Sequence, residues 1–306
     1  MKKYTLFTPE GMRDTLFEEC KIRRQTENTL FDIAEKNGYR EISTPIFEFY
    51  DVFDHRKLNF PQENLYKFTD NKGRLMVLRP DVSLPIARSA ATRLRNEELP
   101  LRLFYAQDVF RVNNSDTGKK SSMRQVGAEL IGNADDLEIF SLATDFLKSF
   151  NKPFTLEIGH IGIFKHLTKK LKENEEFEKL DTVRNLIARK NSPELNNMDI
   201  DTALKQLPKM FGKAEVFEKC NGLYPEDILD YLKDLYEKLS KDNDVIIDLG
   251  LVNKINYYTG VVFKGYVGGV EVLSGGRYDD LIGKFGYNVP AMGFALYLDD
   301  ITEQII

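Results

Sequence analysis

Paired β-rich runs and one long charged block limit the possible folds of this chain more than any other feature. NLYKFTD is followed by GRLMVLRPD across the turn DNKG, and NYYTGVVFKGYV is followed by GVEVLSGG. Between about 165 and 243 the sequence changes to charged, amphipathic text, which is typical of a helical insertion with solvated faces. Strands that follow one another as hairpins favour an antiparallel α+β domain over a doubly wound parallel one.

The other elements are predicted from apolar spacing and turn residues. Residues 15–37 have apolar positions at helical spacing, and Gly38 supplies a stop. A second helix, SLPIARSAATRLRN, would be capped by Asp81 or Ser83. The remaining predictions are strands at YREISTPIFEFYDVF, LRLFYAQDVFRVN, SMRQVGAELIG, FTLEIGH and VIIDLGLV and helices at ADDLEIFSLATDFLKSF and PAMGFALYLDDITEQII. We predict one domain, 1–306, that contains the insertion.

Several classes of protein are excluded by what the sequence lacks. His55, His160 and His166 have no metal-ligand spacing, and Cys20 and Cys220 are too isolated for a zinc or disulfide framework. No GxxxxGK[ST] phosphate loop occurs. No run approaches the ~18 apolar residues of a spanning helix, and a net charge of −5 gives no overall attraction to nucleic acid. We therefore expect a soluble, cytoplasmic protein with no cofactor, metal or membrane contact.

Several segments occur in an order that resembles a known family. GYREISTPIFE resembles the first motif of class II histidyl-tRNA synthetases, a helix and strand that form a dimer interface, and VFRVN resembles the second. RQVGAELIG resembles the strand that brings Gln and Glu into the histidine pocket, and INYYTG and GGRYDD resemble the segments that close over the imidazole. Nearly the whole chain is similar to the synthetase catalytic domain and still more similar to the synthetase-like regulatory subunit of ATP phosphoribosyltransferase. The resemblance implies a class II synthetase-like α+β fold with a mixed, mainly antiparallel sheet.

The resemblance also implies a pocket for histidine. An α-ammonium needs acceptors, an imidazole needs polar partners for both nitrogens, and a carboxylate suits an arginine. Seven positions match these roles: Asp81, Ser83 and Gln125 for the ammonium, Glu129, Tyr258 and Tyr278 for the imidazole, and Arg111 for a carboxylate or phosphate oxygen.

INYYTG contains two adjacent tyrosines, Tyr257 and Tyr258. Neighbouring residues on a strand point to opposite faces, so only one of Tyr257 and Tyr258 would face a pocket. By resemblance that residue is Tyr258. The alternative is that these are half-buried strand tyrosines and that Glu129 is a surface carboxylate.

Four positions depart from the synthetase pattern. Asn253 stands where the family has the arginine that stabilises the α-phosphate, and Asn113 stands at the glutamate of the second motif. Ser121 replaces an ATP-binding arginine, and Asp300 replaces the arginine that ends the third motif. Loss of one preorganised donor costs roughly 10²- to 10³-fold in rate. The pattern therefore predicts a pocket that binds an amino acid and no catalytic residues.

The resemblance implies a regulatory subunit of ATP phosphoribosyltransferase, in histidine biosynthesis. It would pair with the short-form catalytic subunit, activate it and carry histidine feedback, as a homodimer within a hetero-oligomer. The sequence ends soon after the third motif, so no anticodon-binding domain and no tRNA binding are expected. Two alternatives stay open: a synthetase-like enzyme that activates histidine for an acceptor other than tRNA, and a histidine-binding scaffold protein.

Overall fold

The computed structural model describes most of the chain, namely residues 4–53, 62–112, 120–133, 135–220, 222–252 and 257–306. The chain forms two compact units. The first unit is Met1–Lys152 with Asp279–Ile306, and the second is Pro153–Tyr278.

The strands are, in chain order, β1 (Arg40–Glu41), β2 (Phe47–Phe49), β3 (Lys67–Thr69), β4 (Leu75–Leu78), β5 (Leu101–Phe110), β6 (Ser122–Ile131), β7 (Phe154–His160), β8 (Phe211–Gly212), β9 (Asp244–Asp248), β10 (Val261–Val267), β11 (Val270–Arg277) and β12 (Ala291–Tyr297).

The α-helices are α1 (Phe17–Lys36), α2 (Ser83–Ala91), α3 (Asp136–Lys148), α4 (Ile161–Leu167), α5 (Lys169–Glu173), α6 (Phe177–Ala188), α7 (Ser192–Asn196), α8 (Thr202–Gln206), α9 (Glu215–Glu218), α10 (Glu226–Leu239) and α11 (Leu298–Ile305).

In the first unit, β1, β5, β6 and β12 lie side by side in that order. β1 runs parallel to β5, whereas β5 with β6 and β6 with β12 are antiparallel. Helices α1, α3 and α11 pack on these strands, and the edge-to-face contacts of Phe104, Phe146 and Phe294 join helix and sheet in the core. The hydrophobic periodicity that predicts α1 thus identifies the face that covers the sheet.

A separate three-stranded sheet, in the order β2-β4-β3, belongs to the same unit. The predicted DNKG turn joins β3 to β4, and Asp70 accepts hydrogen bonds from the backbone N–H groups of Lys72 and Arg74, at 2.9 Å each. The carboxylate satisfies two turn donors, so the hairpin is fixed by its own sequence.

In the second unit, the strands lie in the order β11-β10-β7-β9-β8. β7 and β9 are parallel because the helical insertion connects them, and the other pairs are antiparallel. Helices α4 to α10 lie between β7 and β9 in the chain, and most of this region coincides with the insertion predicted at about 165–243. The predicted α+β class, with mainly antiparallel pairing, is confirmed.

Three local predictions are wrong. The segment PAMGFALYLDDITEQII was predicted as one helix, but its first half is β12, whose residues Ala291–Tyr297 pair with β6. The insertion is not purely helical, since β8 pairs with β9. The strand predicted from Asn256 begins only at Val261, so Tyr257 and Tyr258 precede it. For β12 and β8, pairing with a strand elsewhere in the sequence decides the conformation.

Candidate functional site

The start of α2 places two of the predicted residues. The segment that leads to it is anchored by the buried side chain of Arg79, whose Nε donates to the Asp108 carbonyl at 2.9 Å and whose Nη1 donates to the Thr44 carbonyl at 2.7 Å. Burial lowers the pKa of this guanidinium. Asp81 is also buried and accepts a hydrogen bond from the Leu84 backbone N–H at 3.1 Å. The prediction that Asp81 or Ser83 is the N-cap is wrong, because the N-cap of α2 is Val82, which lies between them and has no side-chain capping contact. Asp81 still satisfies one backbone N–H group of the first turn.

Ser83, the first residue of α2, contacts Glu129 directly. Its Oγ donates to Glu129 Oε1 at 2.6 Å. Glu129 lies on β6 and is only 1% exposed. The reading of Glu129 as a surface carboxylate is therefore wrong. A hydrogen bond in so buried a place is a strong one, because little water competes for it.

Glu129 has room for its carboxylate because its neighbour on β12 is a glycine. Gly293 is its direct register partner, and a Cβ added at Gly293 would overlap Glu129 Oε2. Ser83 donates a hydrogen bond to Oε1 of the Glu129 carboxyl group. The other oxygen, Oε2, lies over the backbone of β12 at Gly293, which has no side chain. The sequence prediction missed Gly293, and its only local signal is a glycine inside a strand.

Gln125 and Arg111 belong to the same unit. Gln125 is buried and lies four residues before Glu129 on β6, so both side chains are on the same face of the sheet. Arg111 follows β5; its Nε donates to the Pro80 carbonyl at 2.8 Å, and its backbone N–H donates to the Ser121 carbonyl at 2.9 Å. The contact with Pro80 ties Arg111 to the residue next to Asp81.

The two predicted tyrosines belong to the second unit. The rings of Tyr257 and Tyr258 touch, with centroids 4.7 Å apart, and Tyr257 meets Tyr278 edge to face at 5.8 Å. Neither tyrosine is on a strand, because β10 begins at Val261. The prediction that Tyr257 and Tyr258 point to opposite faces of a strand is therefore wrong. Gly276 leaves space for the Tyr258 ring, since a Cβ there would lie 2.8 Å from its Cδ1 atom.

Two of the four residues that depart from the synthetase pattern, Ser121 and Asp300, lie in the described parts of the chain. Asn113 and Asn253 lie outside the described residues. Ser121 is 1% exposed, and its backbone N–H donates to the Gly11 carbonyl at 2.7 Å. Gly11 has φ +71°, and a Cβ there would overlap Ser121. The segment around Gly11 thus covers Ser121, the residue that stands where the resemblance implies an arginine.

Asp300, on α11, is paired with a lysine. Lys120 Nζ donates to Asp300 Oδ1 at 2.7 Å and to Glu303 Oε1 at 2.8 Å. Burial alone would lower the pKa of Lys120, but its hydrogen bonds to Asp300 and Glu303 outweigh burial and raise it. The sequence prediction missed Lys120, which lies 180 positions from its partner. The Asp300 carboxylate is therefore paired with a lysine of the same chain.

The buried carboxyl groups of Asp81 and Glu129 offer hydrogen-bond acceptors for a cationic or zwitterionic ligand.

Neither cysteine is in a disulfide, and burial raises the pKa of the Cys220 thiol. Across the described ranges, no three or more His, Cys, Asp or Glu side chains are grouped so that they could hold a metal ion. Within the same part of the chain, no helix has the length and apolar character to cross a membrane.

Comparison with known proteins identifies the relatives of this chain. The family model described as histidyl-tRNA synthetase matches residues 11–301. Proteins named ATP phosphoribosyltransferase regulatory subunit, from Clostridium novyi (strain NT) and Clostridium acetobutylicum, are 39% and 40% identical over the whole of this chain. The chain spans 77% and 79% of their lengths.

Solved structures show the same likeness. A crystal structure described as an ATP phosphoribosyltransferase regulatory subunit/histidyl-tRNA synthetase from Bacillus halodurans has a TM-score of 0.86 at 33% identity, and it covers all of this chain and 84% of that one. A histidine–tRNA ligase subunit from Alicyclobacillus acidocaldarius has a TM-score of 0.81 at 24% identity, over 98% of this chain and 96% of that chain. The predicted class II synthetase-like fold is confirmed.

Proposed function

The chain belongs to the family of ATP phosphoribosyltransferase regulatory subunits, which share the histidyl-tRNA synthetase fold, and we propose that it activates a short-form catalytic subunit and mediates feedback by histidine. Its relatives carry the name of a regulatory subunit, which supports a catalytic phosphoribosyltransferase as partner. In this proposal the chain is itself non-catalytic.

The ion pair between Asp300 and Lys120 is the observation that carries the non-catalytic part. The synthetase pattern has an arginine at position 300, where it would meet the triphosphate. Here a carboxylate occupies the position, and its partner Lys120, at 2.7 Å, is already shared with Glu303. Together with the burial of Ser121 under Gly11, this leaves the nucleotide without two donors that would stabilise its charge.

The contact between Ser83 and Glu129 supports the binding part. A synthetase that had lost both substrates would have no reason to keep a carboxylate that is 1% exposed, since burial of an unneeded charge is costly. Glu129 would accept a hydrogen bond from the imidazole and Asp81 from the α-ammonium, while Arg111 would meet the carboxylate. The contribution of Gln125, Tyr258 and Tyr278 rests on the family resemblance.

Feedback requires that histidine binds two states of the complex with different affinity. A coupling free energy of about 1–3 kcal/mol would change the response of the catalytic subunit by roughly 5- to 150-fold. In the proposed assembly the chain is a homodimer within a hetero-oligomer.

Reconstitution with a short-form catalytic subunit tests the proposal. We expect a stable complex at micromolar concentration in light-scattering chromatography, raised turnover of ATP and phosphoribosyl pyrophosphate, and loss of that gain when histidine is added. The variant Glu129→Gln serves as the matched control: it should form the complex and activate, but respond to histidine only at higher concentration. Absence of any complex would favour a histidine-binding scaffold protein.

A further inference from the structure

A polar cavity lies in the first unit, where the C-terminal end of α1 meets β5 and α3. Its volume is about 400 Å³, near the lower end of the roughly 300–1,000 Å³ that small-molecule sites occupy. Asn37 and Gly38 line it just past the end of α1, Arg102 lines it from β5, and Glu138 and Ser141 line it from α3. The space therefore suits a small polar molecule.

The cavity is separate from the proposed histidine pocket. Leu103 is the register partner of Glu129, so these two side chains lie on the same face of the sheet. Arg102 precedes Leu103 on β5 and therefore points to the opposite face. The cavity and the histidine pocket thus lie on opposite faces of one strand.

Glu138 has its full complement of hydrogen-bond donors. Its Oε1 accepts from Arg102 Nε at 2.6 Å and from the Tyr39 hydroxyl at 3.2 Å. Its Oε2 accepts from Arg102 Nη2 at 3.0 Å and from Asn133 Nδ2 at 3.4 Å. An ionised carboxylate offers about four lone-pair sites, so these four contacts saturate it. Glu138 therefore holds Arg102 in place and has no acceptor left for a ligand.

Arg102 keeps one edge of its guanidinium for a ligand. Glu138 takes the edge formed by Nε and Nη2, and this hydrogen bonding raises the pKa of Arg102, which stays charged. The second edge is formed by Nη1 and Nη2, and in the parts of the chain that the structure describes nothing accepts a hydrogen bond from Nη1. The Arg102 side chain is 35% exposed, so a ligand can reach this edge. A planar fork of this kind matches a carboxylate.

The end of α1 supplies the opposite polarity. A helix C-terminus carries a partial negative charge and carbonyl groups without an intrahelical partner, which favour a cationic group. A Cβ added at Gly38 would lie 4.0 Å from Arg102 Cδ, so the helix end and the arginine border the same space. The formal charges of Arg102 and Glu138 cancel, so the lining favours a ligand without net charge over a multiply charged anion.

We propose that this cavity binds a free polar amino acid other than histidine, with its carboxylate on the second edge of Arg102 and its ammonium at the end of α1. Ser141 lies three residues after Glu138 on α3, and its hydroxyl has no hydrogen-bond partner among the described residues. That hydroxyl would donate to the ligand carboxylate. Because Glu138 is saturated, it offers nothing to an imidazole N–H group, and histidine is not selected here. The site needs neither the histidine pocket nor a catalytic subunit.

Calorimetry of the whole chain with each proteinogenic amino acid except histidine tests the proposal. At least one polar amino acid should bind at millimolar concentration or below. Arg102→Lys keeps the charge but loses the fork, and it should weaken this binding by about 10-fold or more. Ser141→Tyr fills the cavity from an exposed helix position, leaves the pair of Arg102 and Glu138 in place and should abolish binding. Lys148→Tyr, at an exposed position of the same helix outside the lining, is the matched control and should bind as the wild type does.

Alkylation shows where the amino acid binds. The thiol of a Ser141→Cys chain is treated with iodoacetamide, and its reaction is followed by peptide mass spectrometry. The amino acid that binds should slow this reaction several-fold, whereas the thiol of a Lys148→Cys chain should react at an unchanged rate.

Four results would overturn the proposal. They are the absence of binding by every amino acid tested, binding that survives Ser141→Tyr, equal protection of the two introduced thiols, and a loss in Glu129→Gln as large as in Arg102→Lys. Inorganic phosphate is titrated in parallel, and its binding in place of any amino acid would mark an anion site and also overturn the proposal. None of these results bears on activation of the catalytic subunit, so the proposed function is tested separately.

Discussion

Replacement of Glu129 by glutamine should abolish most of the affinity for histidine while the protein stays folded. Glu129 is 1% exposed, and its Oε1 accepts from Ser83 Oγ at 2.6 Å. A glutamine can still accept that hydrogen bond through its carbonyl oxygen, so the hydrogen bond between β6 and the first residue of α2 is preserved. What disappears is the negative charge offered to the ligand.

The size of the effect follows from that loss. A hydrogen bond to a charged group contributes about 1.5–3 kcal/mol, which corresponds to roughly 12- to 150-fold in the dissociation constant. Glu129→Ala should lose at least as much and should also lower stability, because it leaves the Ser83 hydroxyl without this acceptor. Isothermal titration calorimetry with histidine gives the affinity, and thermal unfolding gives the stability.

Glu138 provides the matched control. It is a partly buried carboxylate of the same unit, paired with Arg102 at 2.6 Å and 3.0 Å, and it is not among the predicted binding residues. Glu138→Gln should bind histidine as the wild type does. Equal affinity in wild type, Glu129→Gln and Glu129→Ala, or an equal loss in Glu138→Gln, would refute the reasoning.

Three further predictions concern packing and charge. Gly293→Ala should displace the Glu129 carboxylate, destabilise the fold by about 1–3 kcal/mol in denaturant titration and weaken histidine binding, because the new Cβ would overlap Oε2. Lys190→Met should lower the free energy of unfolding by about 2–3 kcal/mol in the same titration, because Lys190 Nζ contacts Asp248 Oδ1 at 2.6 Å and Asp248 is only 2% exposed. The control Lys179→Met removes a surface ion pair and should cost under about 1 kcal/mol. Burial, and after it repulsion from Asp248, raises the pKa of Glu157 in the folded protein, so the charged form of Glu157 destabilises the fold. Glu157→Gln should therefore raise Tm at pH 7.5. At pH 4, below the unfolded-state pKa, the same substitution should leave Tm unchanged.

The sequence predicted those elements whose conformation is determined by residues close to them in the chain. The periodicity of residues 15–37 and the stop at Gly38 correspond to α1, which ends at Lys36 and is followed by a glycine at φ +79°. The DNKG hairpin is fixed by its own turn. By contrast, Ala291–Tyr297 has no strong strand pattern and forms β12 by pairing with strands that include β6, more than 150 residues earlier.

The candidate site divides in the same way. Its residue types were predicted from motif order, but their orientation depends on partners that are distant in sequence. Gly293 makes room for Glu129, and Lys120 neutralises Asp300, and neither contact has a local signal. The adjacent tyrosines were placed on a strand by propensity, whereas the strand begins after them.

The proposed function requires that the amino-acid side of the site binds histidine and that the nucleotide side does not react. Histidine-dependent exchange of pyrophosphate into ATP measures that claim directly, with an active histidyl-tRNA synthetase as positive control. We predict no exchange above background at histidine concentrations that calorimetry shows to be saturating. Robust histidine-dependent exchange would contradict the account and identify the chain as an enzyme that activates histidine.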